Sequence, residues 1–235
     1  MDSRISGKYF TDEVNVIDTL YSPCLKWATT YVRDAGYFSS KVYRTMSKDL
    51  LEFVLREKDN HIHLITCIDI YPSDFDAILS QNELGVREVI SQLNEMLLSE
   101  TLADPVKMLA ALVHSKKMTM YVSLRKTEKD TLHSIDHVKT GYFTDGNQRF
   151  VVFDGSMNET YPALIKGHSR GNREHFNIWS KEEYSDNLLD WKGFALPVIN
   201  RLDNDIDPKK VFPRNSGNGT IIVKIEDIKR TMICK

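Results

Sequence analysis

Between residues 137 and 160 the chain reads HVKTGYFTDGNQRFVVFDGSMNET. His137 and Lys139 stand two residues apart, and Ser156, preceded by Gly155 and followed two residues on by Asn158, follows Lys139 by seventeen residues. An imidazole, an ammonium, a hydroxyl and an amide, brought together, suit a phosphate group. An imidazole nitrogen can attack phosphorus, giving a phospho-histidine and splitting one hard displacement into two easier ones. The lysine and the asparagine would then carry the charge that builds on the non-bridging oxygens. A second acid must protonate the leaving oxygen, and a nearby carboxylate can orient the histidine. This scheme requires no metal or other cofactor, in keeping with the missing carboxylate cluster.

Such chemistry needs the two ends of the stretch folded together. Asp145-Gly146-Asn147 between two β-rich runs predicts a hairpin, with strands over 135–143 and 149–154. On the first strand His137 and Lys139 share one face, Val138 and Thr140 the other. Ser156 and Asn158 fall where the chain turns toward a helix expected near Glu159, whose N-terminus would offer free N–H groups to an anion. Glu159 itself reads as a first-turn acid favoured by the helix dipole, orientation of a histidine being the alternative.

The surrounding elements read as strand, helix, strand. Residues 27–33 are aromatic and β-branched, Gly36 interrupts them, and Tyr43, Met46, Leu50, Phe53 and Val54 then fall on one helical face within 39–58. Residues 61–68 make a second buried-type strand, so the unit is βαβ-like and argues for a partly parallel sheet under helices. Helices are expected over 74–80, 83–98, from Asp104-Pro105 to His114, and over 181–201; strands over 118–124 and ending at 177–179. The polar stretch 203–219 reads as a linker, followed by one possible strand at 220–225. The expected division is a catalytic domain over 1–202 and a linker or C-terminal tail over 203–235, which is either a plain tail or the stump of a longer chain.

Composition bounds the function. The 235 residues are 41% hydrophobic and 27% charged with a formal net charge of −2, ordinary for a globular protein and without a global basic field. A local cleft can still be positive, and Lys116, Lys117, Arg125, Lys126, Arg149, Lys166, Arg170 and Arg173 are candidates to line a nucleic-acid groove. The three cysteines, Cys24, Cys67 and Cys234, show neither a disulfide framework nor metal-ligand spacing, which points to a reducing compartment. No secretory leader and no bilayer-length apolar run is seen, so a cytoplasmic protein without a membrane partner is expected. His114, His133, His168 and His175 read as surface or loop residues, His61 and His63 as solvated, and Trp27, Trp179 and Trp191 as core or interface residues.

The order HxK, Asp, GSxN resembles the HKD motif of the phospholipase D superfamily, carried here by His137, Lys139, Asp145, Gly155, Ser156 and Asn158. Glu174, in NREHFNIW, is similar to the carboxylate that follows the motif at the start of a later strand; capping a strand end is its other reading. Asp145 stands one residue further from the lysine than in the commonest spacing, and Asp-Gly is also what a hairpin turn wants. Gly36-Tyr37-Phe38 and the GSxNET ending resemble the PLD-like nuclease domains of prokaryotic restriction and phage-defence proteins, often fused to helicases. The likeness spans roughly residues 27–200.

The fold expected is an α/β sandwich, with a mixed, mostly parallel sheet between helical layers. The chain carries one copy of the full motif, whereas the superfamily needs two facing each other. The resemblance therefore implies a homodimer, one His137 acting as nucleophile and the other as general acid. Lys139, Ser156 and Asn158 would hold the phosphate and Glu174 would orient the imidazole. The implied activity is metal-independent hydrolysis of DNA. A phospholipase or phosphatidyl transferase of the same chemistry, and a non-catalytic module that docks nucleic acid or a helicase, are the rival readings.

Overall fold

A computed structural model of the chain describes residues 7–57, 59–67, 69–80, 85–99, 104–126, 132–134, 138–147, 149–165, 172–181, 195–206 and 220–227. The βαβ unit is present. Strand β2 (Thr30–Asp34) leads through a 3-10 turn, Ser40–Val42, into helix α2 (Tyr43–Arg56), and β3 (His61–Cys67) returns parallel to β2. All five residues of the expected helical face are buried. Helix α3 (Pro72–Leu79), α4 (Val86–Leu98) and α5 (Pro105–His114) follow, and Asp104 caps α5 by accepting from the N–H groups of Val106 and Lys107.

Strand β4 (Met118–Lys126) lies parallel to β3 on its other side. The short β5 (Leu132–Ser134) and the late β9 (Thr220–Lys224) both pair antiparallel with β4. On the opposite flank β6 (Thr140–Thr144) runs antiparallel to β2, followed by β7 (Phe150–Gly155), β8 (His175–Lys181) and the N-terminal β1 (Gly7–Phe10). The described strands form one sheet in the order β1-β8-β7-β6-β2-β3-β4-β5, with β9 beside β4.

The sheet is mixed, but the expectation of mostly parallel pairing is corrected: among the described strand pairs only β2–β3 and β3–β4 are parallel. The reason lies in the connections. Helical crossovers make parallel neighbours, whereas hairpins such as β6–β7 can only make antiparallel ones. Two further readings change. Lys181 closes β8 rather than opening a helix, and helix α7 spans Leu196–Ile206, so that Asp203 to Ile206 are helical and not linker. Residues 182–194 and 207–219 lie outside the described residues.

Alternation along the strands sorts the core into two layers. Tyr31, Ile62, Leu64, Met120, Phe143, Val151 and Phe153 face the large core beneath α1 (Ser22–Leu25), α2, α4 and α5. Val32, Ile65, Tyr121, Tyr142 and Val152 face the other way, onto Ala195, Ile199 and Leu202 of the α7 segment. His61 and His63 share this second face. They are half-buried rather than solvated, because β3 is an interior strand. His61 Nε2 lies 2.9 Å from Thr119 Oγ1, His63 Nδ1 lies 3.2 Å from the Tyr121 hydroxyl, and burial holds the His63 imidazole down at about 3. Among the described residues no helix is long and apolar enough to cross a membrane.

Candidate functional site

The hairpin brings Lys139 beside Gly155. β6 begins at Thr140 rather than at 135, yet its ladder extends one step beyond, for Gly155 N–H donates to the Lys139 carbonyl at 3.2 Å. Lys139 and Gly155 are thereby neighbours. At the far end Gly146 takes a positive φ of 78°, and Asp145 Oδ1 accepts from Asn147 N–H at 2.9 Å and Arg149 N–H at 3.3 Å. Asp145 is a turn residue, six residues or roughly 20 Å of strand from Lys139. It leaves the candidate catalytic set. His137 lies outside the described residues.

Gly155 closes β7 against β8 so tightly that a Cβ there would sit 2.1 Å from the His175 carbonyl oxygen, and its φ is +155°. That approach lets the next residue exchange two bonds with β8: Ser156 N–H donates to His175 O and His175 N–H donates to Ser156 Oγ, each at 3.0 Å. The Ser156 hydroxyl in turn donates to Glu174 Oε2 at 2.5 Å, while Asn172 Nδ2 donates to Oε1 at 3.1 Å. Buried Thr11 clamps the Glu174 backbone from both sides, donating its N–H to Glu174 O and accepting Glu174 N–H on its hydroxyl, both at 2.9 Å. Glu174 is therefore a fixed neighbour of Ser156, not a loose strand cap.

Asn158 and Glu159 tie the loop after β7 to the Gly36-Tyr37-Phe38 segment. Asn158 Oδ1 accepts from Tyr37 N–H at 3.2 Å, which leaves its NH2 to donate elsewhere. Glu159 N–H donates to Tyr37 O and Ser39 N–H donates to Glu159 O, both at 3.1 Å. The reading of Glu159 as a first-turn acid is corrected. The short helix α6 is Tyr161–Leu164, and the Glu159 side chain turns inward, 2% exposed, onto Arg33, which is fully buried. Arg33 Nε meets Glu159 Oε2 at 3.1 Å, and Arg33 also donates to the Met157 carbonyl. The hydroxyls of Tyr21 and Tyr31 donate to the same carboxylate at 2.6 and 3.2 Å. Burial first, and the Glu159 charge second, push both phenols far above their ordinary range. With α6 only four residues long, the anion site expected at its N-terminus falls away.

The sequence reading missed Arg33, because its partner is 126 residues away. It also missed Arg201 of α7, which donates to Asp34 Oδ2 at 2.8 Å and reaches Thr140 Oγ1 at 3.5 Å, next to Lys139. Lys139 is half-buried, and its charge is felt by Cys67 at the end of β3: burial pushes that thiol up, and the lysine is one of the smaller influences drawing it back.

Lys139, Gly155, Ser156, Asn158 and Glu174 thus gather where β2 and β3 end, the edge at which open α/β sheets bind ligands. A cavity of about 600 Å³ opens beside Asn158 and Asn172, walled by the loops after β2 and β3. Those loops are held together by Asp74, which accepts Ser40 N–H at 2.9 Å and the Ser40 hydroxyl at 2.6 Å.

The chain matches no protein-family model and no curated protein.

Three of the candidate groove residues that are described have other partners. Lys117 is buried and donates to the Glu57 carbonyl, and Arg149 stacks 4.1 Å over Trp27 beside the turn, at the end of the sheet away from the motif. Arg173 pairs with Asp12 at 2.9 Å. Lys166, Arg170, His168 and Trp191 lie outside the described residues. Another His-x-Lys, His114 and Lys116, sits at the end of α5, away from the GSxN loop; His114 Nε2 lies 3.3 Å from Ser80 Oγ.

Proposed function

We propose that the chain is a phosphodiesterase of the phospholipase D type, and that it cleaves DNA through a phospho-histidine in a homodimer. The observation that supports this reading best is the bond from Gly155 N–H to the Lys139 carbonyl. It makes neighbours of the two halves of a motif that the sequence separates. The His137 imidazole nitrogen attacks phosphorus, and the bond from phosphorus to the leaving oxygen breaks. That oxygen takes a proton from the partner subunit's His137. Water then attacks the phospho-histidine, the nitrogen–phosphorus bond breaks, and the second histidine accepts the water proton.

Lys139 and the Asn158 NH2 bear charge on the non-bridging oxygens. Ser156 plays a different part from the one the resemblance implies. With its proton on Glu174, Ser156 positions the loop and the carboxylate rather than donating to phosphate. The wider likeness to nuclease domains of restriction and defence proteins favours nucleic acid over lipid, and a helicase as companion.

The test is incubation with labelled single- and double-stranded DNA in EDTA, with His137→Ala and Lys139→Ala beside the wild type. Cleavage lost in both variants is expected. DNA left intact by a well-folded wild type would move the assignment to a docking module.

A further inference from the structure

The cavity beside Asn158 is built unlike a phosphate site. Three tyrosines line it: Tyr37 from the loop after β2, Tyr71 ahead of α3, and Tyr161 at the start of α6. Tyr71 and Tyr161 are 54% and 40% exposed, high for rings beside a concavity. Among the described residues the charged ones in the lining are one lysine and one carboxylate, Lys41 and Asp69, which together carry no net charge. Lys41 Nζ stands 5.4 Å from the centre of the Tyr71 ring, within cation–π range. About 600 Å³ falls within the range of small-ligand sites.

We propose that this cavity is a subsite for an unpaired nucleobase, so that the preferred substrate is a single-stranded nucleic acid. The proposal rests on the phosphodiesterase reading for the identity of the strand. Flat π-faced rings, a neighbouring cation and a few edge groups match a base, which stacks on aromatics irrespective of its identity. In a duplex the base faces are already stacked and the edges paired, so only an unpaired base can enter. The phosphate of the same strand then falls to Lys139 and Asn158, and Asn158 links the two places because it belongs to both. A lipid surface fits less well. The exposed rings carry hydroxyls, and among the described lining residues the large apolar side chains without a polar tip, Phe38 and Ile70, are buried rather than set to enter a bilayer.

Binding is measured by fluorescence anisotropy on the full chain carrying His137→Ala, so that turnover does not interfere. The probes are a short labelled oligothymidylate, its duplex with oligoadenylate, and an abasic strand of the same length. The single strand binds tightest. Tyr71→Ala with Tyr161→Ala weakens it by roughly 5- to 150-fold, the loss of about one base–aromatic stack, while the corresponding Phe pair stays near the parent. Equal binding by the Ala pair, or an abasic strand that binds as well as the oligothymidylate, overturns the subsite. So does tyrosine-dependent binding to anionic phospholipid vesicles without oligonucleotide affinity. The two readings fail separately. A wild type that stacks unpaired bases but cleaves nothing keeps the subsite and removes the phosphodiesterase. One that cuts duplex DNA with the Ala pair unimpaired does the reverse.

Discussion

Arg33→Met isolates the buried pair that anchors the loop carrying Ser156 and Asn158. The substitution keeps the volume of the arginine stem but leaves the Glu159 carboxylate, 2% exposed, without its cation, and removes the donor to Met157 O. Breaking one side of a buried ion pair costs about 3–5 kcal/mol, a large share of the ~5–15 kcal/mol that holds a typical domain. At roughly 2–4 °C per kcal/mol for a chain of this size, Tm falls by roughly 6–20 °C. Adding Glu159→Gln removes the stranded charge while the Tyr21 and Tyr31 hydroxyls can still donate to an amide oxygen, so the double variant regains part of the loss. Urea unfolding followed by circular dichroism gives both numbers, read from the midpoint at constant slope. A single variant within about 1 kcal/mol of wild type, or a double variant less stable than the single, would refute the view that this ion pair fixes the loop.

Gly155→Ala places a Cβ 2.1 Å from His175 O; the β7–β8 junction must open, costing about 1–3 kcal/mol in urea unfolding and abolishing DNA cleavage. Asp145→Asn, at the distant turn, retains cleavage within a small factor, and an inactive variant would restore Asp145 to the site. Acidification tests His63, whose folded value burial depresses to about 3 from the ordinary 6.5. Between those values the unfolded chain binds the proton and the folded chain does not, so stability is full above pH 6.5 and declines as pH falls toward about 3. The contribution lost by pH 5 has an upper limit of about 2 kcal/mol, reduced by the partial exposure of the ring. His63→Gln flattens that slope, and an unchanged slope would show that the ring is not held neutral. Gel filtration at micromolar concentration gives a dimer; a strict monomer would lack the second histidine.

What the sequence disclosed follows from how local each signal is. The α2 face, the helix start at Asp104-Pro105 and the Asp-Gly turn depend on residues within a few positions of one another, and the structure places them where their spacing implies. The βαβ unit was legible because β2, α2 and β3 are consecutive. Glu159 was misread because its partners Arg33, Tyr21 and Tyr31 come from more than a hundred residues away. His61 and His63 were misread because a strand's place in a sheet, edge or interior, is a property of its neighbours. Asp145 satisfied two patterns at once, and only the register of β6 against β7 separates the turn from the chemistry. Strand β1, four residues pairing with β8, carries too short a pattern to notice, yet the adjoining Thr11 fixes Glu174.

The decisive measurement is a rapid-quench experiment with phosphorus-labelled DNA in EDTA, followed by peptide mapping of the trapped protein. A transient, acid-labile label on the peptide containing His137, absent in His137→Ala and diminished in Lys139→Ala, is the expected result. Cleavage that proceeds with no label on the protein, or a label that persists in His137→Ala, would contradict the phospho-histidine site proposed where β2, β3 and the β6–β7 hairpin meet.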